Sequence, residues 1–353
     1  MQINKTLATT LKPEPDWNNL GFGKIFTDHM FIMDYTEGQG WHDARIVPYA
    51  PLQLDPAAIV LHYAVEIFEG MKAYQAEDGR VLLFRPAENA KRMNKSGERL
   101  CIPELPEEYF LTALKELIKI EKRWIPKLRD TSLYIRPMII ATEAVLGISR
   151  SNQYQFIIIL SPVAAFYPEG LNPVKIYVEE KYSRSVKGGT GYAKCGGNYA
   201  AGLPAQYKAR DKGYSQVLWL DGATKTYIDE VGAMNVMFKI NNEIYTPGLT
   251  DTILPGITRD SVIKLLKSWG YTVHEGNIPL AQLQEAAKNG TFEEAWGTGT
   301  AAVIAPIGEL NILGESVVLS DGKTGELTQR IYNALTDIQW GRAKDEFGWT
   351  EEL

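Results

Sequence analysis

Two residues in this chain have types and surroundings from which amine chemistry could be built. Lys194 lies in a glycine-rich run, GGTGYAKCGGNYAAG, and Glu230 follows in YIDEVGAMN, one strand-turn-strand later. A lysine amine can attack an aldehyde to form a Schiff base, and a carboxylate can keep a pyridine nitrogen protonated. These are the two requirements of pyridoxal phosphate (PLP) catalysis. A lysine in a glycine stretch taken alone is more often a solvated loop residue, so the assignment depends on what the rest of the chain supplies.

A cofactor phosphate needs donors, and helix N-termini provide them because their first N–H groups and the dipole both face an anion. In ILPGITRDSVIKLLKSWG, Pro255 and Gly256 make a turn and the N–H groups of Ile257 and Thr258 open a helix. Plain helix capping accounts for the same letters equally well. GTGTAA, residues 297–302, follows the strand-like EEAW and offers the Thr300 hydroxyl to the same phosphate. It also matches the dinucleotide pattern GxGxxA, but that pattern needs a following helix, and AVIAPIG reads as extended. GKT at Gly322 has Val317 where a phosphate loop carries its first glycine, and reads as a surface turn. His29, His42, His62 and His274 are scattered, with no HExxH and no paired-cysteine motif, so no metal site is expected. No serine-nucleophile elbow occurs either, which leaves Lys194 as the best nucleophile.

The elements that must position these groups read as an α/β half followed by an α+β half. Strand-like runs (IFTDHMFIMDY, RVLLFRP, SLYIRPMII, YQFIIILS) alternate with two helical segments. One begins at Glu88; the other follows Pro106 and sets Phe110, Leu111, Leu114, Leu117 and Ile118 on one face, with acidic residues in its first turn. AAFYPEGLNP carries two prolines and a glycine and reads as a linker. Beyond it, VLWLDGATKTYID and VMFKINNEIYTP read as short strands joined by tight turns, with helices over 198–212, interrupted by Pro204, and over 258–269. The expected domains are 1–163, a small N-terminal α/β domain; 164–174, a linker; and 175–353, a larger C-terminal α+β domain, with the active site between the two.

Composition narrows the function classes. The chain has 353 residues, 37 Lys plus Arg against 43 Asp plus Glu, and a net charge of −6, so nothing basic argues for nucleic acid or an anionic membrane. Small-molecule chemistry is the better expectation. Only Cys101 and Cys195 are present, which fits a reducing cytoplasm. The N-terminal residues lack a signal-like apolar segment, and the longest apolar stretch, FIIIL, is far short of a span. The expectation is a cytoplasmic protein.

The motifs FGKIFTDHM, HYAVEIFEGMKAY, LFRPAENAKRM, LYIRP, KCGGNY, EVGAMN, ILPGITRD and GTGTA occur in this order over residues 22–306. In this the chain resembles the branched-chain-amino-acid aminotransferases, the L-specific group of fold type IV PLP enzymes, in the longer form that includes the animal enzymes. The resemblance implies that Lys194 is the Schiff-base lysine and proton shuttle, that Glu230 holds the pyridine nitrogen protonated, and that Tyr199 bonds the ring hydroxyl. Arg92, Ile257, Thr258 and Thr300 would bind the phosphate, and backbone at Ala233 and Ala301 the substrate carboxylate. Phe22, Phe68, Tyr134 and either Phe166 or Tyr167 would line the side-chain pocket, with Tyr63, Leu146 and Ile148 entering from the partner subunit of a homodimer. Arg136 would meet the distal carboxylate of glutamate. Taken singly, Arg92 reads as an exposed helical arginine and the aromatics as ordinary core.

Two departures limit the transfer. Ala233 stands where animal relatives carry threonine, and GTAAVIAP lacks their CxxC pair, so no redox switch is carried over. The implied reaction is ping-pong amino transfer between leucine, isoleucine or valine and 2-oxoglutarate, with Lys194 lowered from about 10.4 toward about 7 to 8 to act as base. A D-amino acid transaminase or an aminodeoxychorismate lyase shares the lysine and the acid but is usually shorter and lacks the FGK, HYAVEIFEG and LYIRP run. A non-catalytic oligomeric binding protein on the same fold is the rival from another class.

Overall fold

The computed structural model describes residues 1–164 and 171–353, and the chain forms two units. The first unit holds the N-terminal described residues together with Ala193–Gly196 and Asp337–Leu353; the second holds the described residues up to Tyr192 and Gly197–Thr336. The returns of 193–196 and 337–353 to the first unit are announced by no local sequence signal.

In the first unit one sheet runs Asn4–Lys5, Gly40–Pro48, His29–Thr36, Gln153–Val163, Ser132–Ala141, Met71–Gln75, Val81–Phe84, Thr350–Glu352, and Glu66–Phe68 pairs beside Ser132–Ala141. Its two faces are set by strict alternation. In Ser132–Ala141 the side chains of Leu133, Ile135 and Ile139 enter the main core, while Tyr134, Arg136 and Met138 face the other way. The cross-strand register Lys72↔Tyr134 and Phe68↔Met138 puts Lys72 and Phe68 on that second face, and Glu66 stands two residues before Phe68. Ile67, between them, points into the core.

The core face is covered by the helices Pro86–Arg99 and Glu107–Ile120. Phe110, Leu114, Leu117 and Ile118 are buried as the periodicity requires, Leu111 is only partly buried at the edge of that face, and Ala113 joins it. Pro86 starts its helix with the fixed φ that suits a first turn. At the centre, Phe156 packs edge-on to Phe31, with ring centroids 5.7 Å apart, and stacks on Phe110 at 5.8 Å.

The second unit's sheet runs Ile228–Val231, Gln216–Leu220, Val174–Glu179, Val303–Ile312, Phe292–Gly299, Asn235–Ile240, Glu243–Pro247, Val273–Gly276, with Glu315–Val318 beside Val303–Ile312. The VMFKINNEIYTP hairpin forms as read, with Asn241 and Asn242 at φ of 51° and 60°, the backbone a two-residue turn of that twist needs. The strand after GTGTAA, Val303–Ile312, removes the dinucleotide reading, since no helix follows. The expected helices are Gly196–Ala200 with Leu203–Asp211, broken near Pro204, and Ile257–Ser268. Two helices in this half were not expected, Leu280–Lys288 and Glu326–Gln339. The DGATKTY turn is wider than a tight hairpin, because the Asp221 carboxylate accepts the N–H groups of Thr224, Thr226 and Tyr227 at 2.7, 2.8 and 2.8 Å. Among the described residues no helix is long and apolar enough to cross a membrane.

Replacing Phe156 by Ala removes the ring on which Phe31 and Phe110 meet. We expect a loss of about 3–5 kcal/mol in the denaturant-unfolding free energy of the first unit. A change under about 1 kcal/mol would show that this cluster can collapse around the void.

Candidate active site

In the first unit the reactive lysine is held by its own backbone. Lys194 N–H donates to Ser96 Oγ at 2.9 Å, Lys194 carbonyl accepts the N–H of Phe68 at 2.9 Å, and Gly196 N–H donates to Glu66 Oε1. The glycine run reads in the sequence as flexible backbone. The structure gives Gly196 another reason to be glycine: a Cβ there would strike the Glu66 carboxylate.

The helix Pro86–Arg99 presents Asn89, Arg92 and Ser96 along one buried face at the i, i+3, i+7 spacing that keeps side chains on one side. Ser96 takes the lysine's amide; Arg92 and Asn89 take Glu69. Arg92 donates from Nε and Nη2 to the two Glu69 oxygens, each at 2.8 Å, and Asn89 Nδ2 donates at 2.7 Å. Arg92 is thus a buried, oriented cation and not an exposed helical arginine. Burial alone would raise the Glu69 carboxyl, but the Arg92 guanidinium, Lys194 and Asn89 hold it below its ordinary value.

Lys194 Nζ lies 4.4 Å over the Phe68 ring, and the Arg136 guanidinium lies 4.7 Å over the same ring. Arg136 Nη2 donates to Tyr134 Oη at 3.0 Å, and Phe22 meets Tyr134 edge-on at 5.0 Å. Lys194, Phe68, Arg136, Tyr134 and Phe22 therefore form one cluster. Arg136 Nε is buried with no hydrogen-bond partner among the described residues. Gly70 keeps Tyr134 in place, because a Cβ there would overlap its hydroxyl.

The Lys194 amine is lowered to about 8 by burial and then by the Arg92 cation, with Glu69 opposing. Lys72, on the same face, is also lowered to about 8, by burial. Tyr63, Leu146 and Ile148 are exposed, Leu146 at 74% and Ile148 at 84%. Tyr63 is tied to Leu146 by a hydroxyl-to-carbonyl bond of 2.9 Å. Phe166 and Tyr167 lie outside the described residues.

In the second unit Glu230 stands on Ile228–Val231 and accepts from three groups. Arg184 Nε lies 2.9 Å from Oε2, while Oε1 accepts Leu254 N–H at 2.8 Å and Asn235 Nδ2 at 3.3 Å. Arg184 is buried and also donates to the carbonyls of Gly191 and Thr252. Asn235 further donates to the Leu254 carbonyl at 2.9 Å, so the groups that fix Glu230 also fix the loop leading into Ile257–Ser268. A Cβ at Gly256 would displace the Asn235 amide from its present place.

The first bond of that helix runs from Asp260 N–H to the Gly256 carbonyl, so the amides of Ile257 and Thr258 stand ahead of the helical ladder. The bridge Val231↔Met234 and the pairs Asn235↔Thr298 and Gly299↔Val303 put the turn bearing Ala233 and the turn bearing Thr300 and Ala301 at one end of the sheet. Val303 closes the second turn at φ of 61°, a strained conformation for a β-branched residue. Tyr199 sits on Gly196–Ala200, beside Asn198, whose amide pairs with the Thr190 hydroxyl and carbonyl at 2.7 Å each.

Residue reasoning missed Glu66, Glu69, Ser96, Arg184 and Asn235. Glu66 and Glu69 lie within HYAVEIFEGMKAY and Asn235 directly follows Met234 in EVGAMN, but nothing local marks Ser96 or Arg184. Each unit by itself offers groups that suit PLP: in the first an amine beside Phe68 and a cationic Arg92 oriented by Glu69, in the second two amides at a helix start and a carboxyl group that accepts from Arg184.

Because the Lys194 amine is half deprotonated near pH 8, its condensation with an added aldehyde should rise roughly tenfold per pH unit below that value and level above it. A rate still climbing steeply toward the ordinary lysine value of 10.5 would show an amine that its surroundings do not perturb.

Residues 66–310 match the family Amino-transferase class IV. Branched-chain-amino-acid aminotransferase 2 of Bacillus subtilis (strain 168) is 56% identical over 351 residues, covering 99% of this chain and 97% of that protein. Branched-chain-amino-acid transaminase 1 of the same organism is 54% identical over 352 residues, covering 99% of each. The solved branched-chain amino acid aminotransferase of Escherichia coli superposes with a TM-score of 0.76 at 25% identity, over 91% of this chain and 98% of that one. A second solved branched-chain amino acid aminotransferase, from T.th. and complexed with N-(5'-phosphopyridoxyl)-L-glutamate, superposes at 0.73 with 26% identity, over 90% and 97%. With a class IV match across most of its length and relatives this similar end to end, the chain belongs to the branched-chain-amino-acid aminotransferases and has their fold type IV architecture.

Proposed function

We propose that this enzyme transfers the amino group reversibly between L-leucine, L-isoleucine or L-valine and 2-oxoglutarate in two half-reactions, using PLP. The observation that carries the reading is Lys194, an amine lowered to about 8 and fixed through its own backbone beside Phe68 and Arg136. Bound PLP supplies the aldehyde that receives the amino group and a protonated ring that accepts the electron pair left at Cα.

Lys194 Nζ removes the proton from the substrate Cα and returns it on the far side of the transfer, a role its lowered basicity suits near neutral pH. Glu230, charged and supported by Arg184, holds a proton at the ring nitrogen. Tyr199 bonds the ring hydroxyl. Arg92, oriented by Glu69, holds the phosphate with the amides of Ile257 and Thr258 and the Thr300 hydroxyl. Backbone at Ala233 and Ala301 takes the substrate carboxylate; with alanine at 233 no hydroxyl assists.

Phe22, Phe68 and Tyr134 receive the branched side chain, and Arg136 meets the distal carboxylate of 2-oxoglutarate through its guanidinium. A homodimer follows from the same reading. Leu146 and Ile148, large apolar side chains left in water on one chain, enter the pocket of the partner subunit together with Tyr63. Two unpaired cysteines and a net charge of −6 accord with a cytoplasmic enzyme that binds neither nucleic acid nor membrane.

Lys194→Ala should abolish half-transamination of L-leucine while the circular dichroism spectrum is kept, and D-leucine should be inert with the wild-type enzyme. Turnover by the variant would remove Lys194 from the chemistry, and equal rates with the D-donor would remove the L-specific assignment. Arg136→Ala should raise the KM for 2-oxoglutarate by roughly tenfold or more and that for leucine much less, as expected when a charged hydrogen bond to only one substrate is lost. Equal losses for both would reduce Arg136 to a structural part.

A further inference from the structure

Glu66 is a second carboxylate on the reactive face, and the reaction as described gives it no task. It stands two residues before Phe68 on Glu66–Phe68, facing the same way, and its Oε1 accepts Gly196 N–H. From Ser132–Ala141 it is faced by Arg136, and from the 193–196 segment by Lys194; Arg92 on Pro86–Arg99 is bonded to Glu69, and Lys72 on Met71–Gln75 shares the sheet face. Burial raises the Glu66 carboxyl above its ordinary value, while the Gly196 amide, Arg136 and Lys194 oppose the rise. Among the described residues Arg136 donates to the Tyr134 hydroxyl oxygen, and its Nε is buried and unpartnered.

One pocket that takes both leucine and 2-oxoglutarate faces an electrostatic conflict. With a branched side chain in place, a half-buried guanidinium would lack an anion, which is costly in a low-dielectric setting. With a dicarboxylate in place, a fixed internal anion would repel the ligand. A carboxylate that can either stay charged or take up a proton resolves both cases.

We propose that Glu66 is the internal counter-charge of Arg136 and sets the preference of the pocket between dicarboxylates and branched monocarboxylates. Charged, it balances Arg136 while an apolar side chain is bound. When a dicarboxylate enters, the ligand's distal carboxylate takes over Arg136, and the like charge drives Glu66 to accept a proton from solvent. Dicarboxylate binding thus carries a proton with it, and weakens as pH rises and Glu66 ionises. The proposal rests on the assignment of Arg136 to the distal carboxylate.

The test uses the purified holoenzyme and two unreactive ligands, glutarate and 4-methylpentanoate, titrated calorimetrically near pH 8 in two buffers of different ionisation enthalpy. The wild type should take up more protons with glutarate than with 4-methylpentanoate. Glu66→Gln, whose amide oxygen still accepts Gly196 N–H, should abolish that difference and raise the glutarate-to-4-methylpentanoate affinity ratio about fivefold, the scale of one partly screened like charge. Glu66→Ala should shift the ratio the same way while weakening both ligands, because the anchor to Gly196 is lost too. An unchanged ratio and unchanged proton uptake in Glu66→Gln would overturn the proposal, as would parallel weakening of both ligands, which would leave Glu66 only an anchor. If Arg136→Ala instead binds glutarate as tightly as wild type, the pocket assignment itself fails, and that result is separable because it does not involve Glu66.

Discussion

The hold on residues 193–196 is the constraint from which the chemistry of the first unit follows. A lysine carried on glycine-rich backbone would ordinarily lose its position to conformational entropy. Here its amide is held by Ser96, its carbonyl by the Phe68 amide, and the next but one amide by Glu66. Ordering a side chain on such a base costs less at the moment of reaction than ordering a loop, which is what preorganisation means energetically. The glycine at 196 serves close approach, not freedom.

The surroundings then set the amine's basicity. Arg92, itself neutralised by a bidentate Glu69, keeps a cation near Lys194 without leaving an unpaired charge buried in the helix–sheet interface. In the second unit the same economy appears around Glu230. Arg184 and Asn235 hold the carboxylate and, through Leu254, the loop that opens Ile257–Ser268, so the acid and the forward-facing amides are fixed by one small network. An Asn235→Ala change would release both at once.

Much of this is legible in the letters. Periodicity marks the helix after Pro106 and the long strands, and the Asn241–Asn242 turn announces its hairpin. Alternation in SLYIRP already implies that Tyr134 and Arg136 share a face. What stays hidden depends on tertiary contacts. Leu280–Lys288 and Glu326–Gln339 escape the reading, and Asp221 opens a turn that looks tight in sequence, through a carboxylate that collects several amides. Ser96 and Arg184 carry no local signature because their partners lie 98 and 46 residues away. Glu66 is one letter in a motif until the fold brings its oxygen to Gly196.

Two amines on the reactive face are lowered to about 8, Lys194 and Lys72, so basicity does not choose between them; the backbone hold and the placement over Phe68 do. Borohydride reduction of the holoenzyme, proteolysis and mass measurement of the peptides decide the matter directly. A phosphopyridoxyl mass confined to the peptide containing Lys194 is the predicted result. The same mass on the peptide containing Lys72, or on none, would contradict the account.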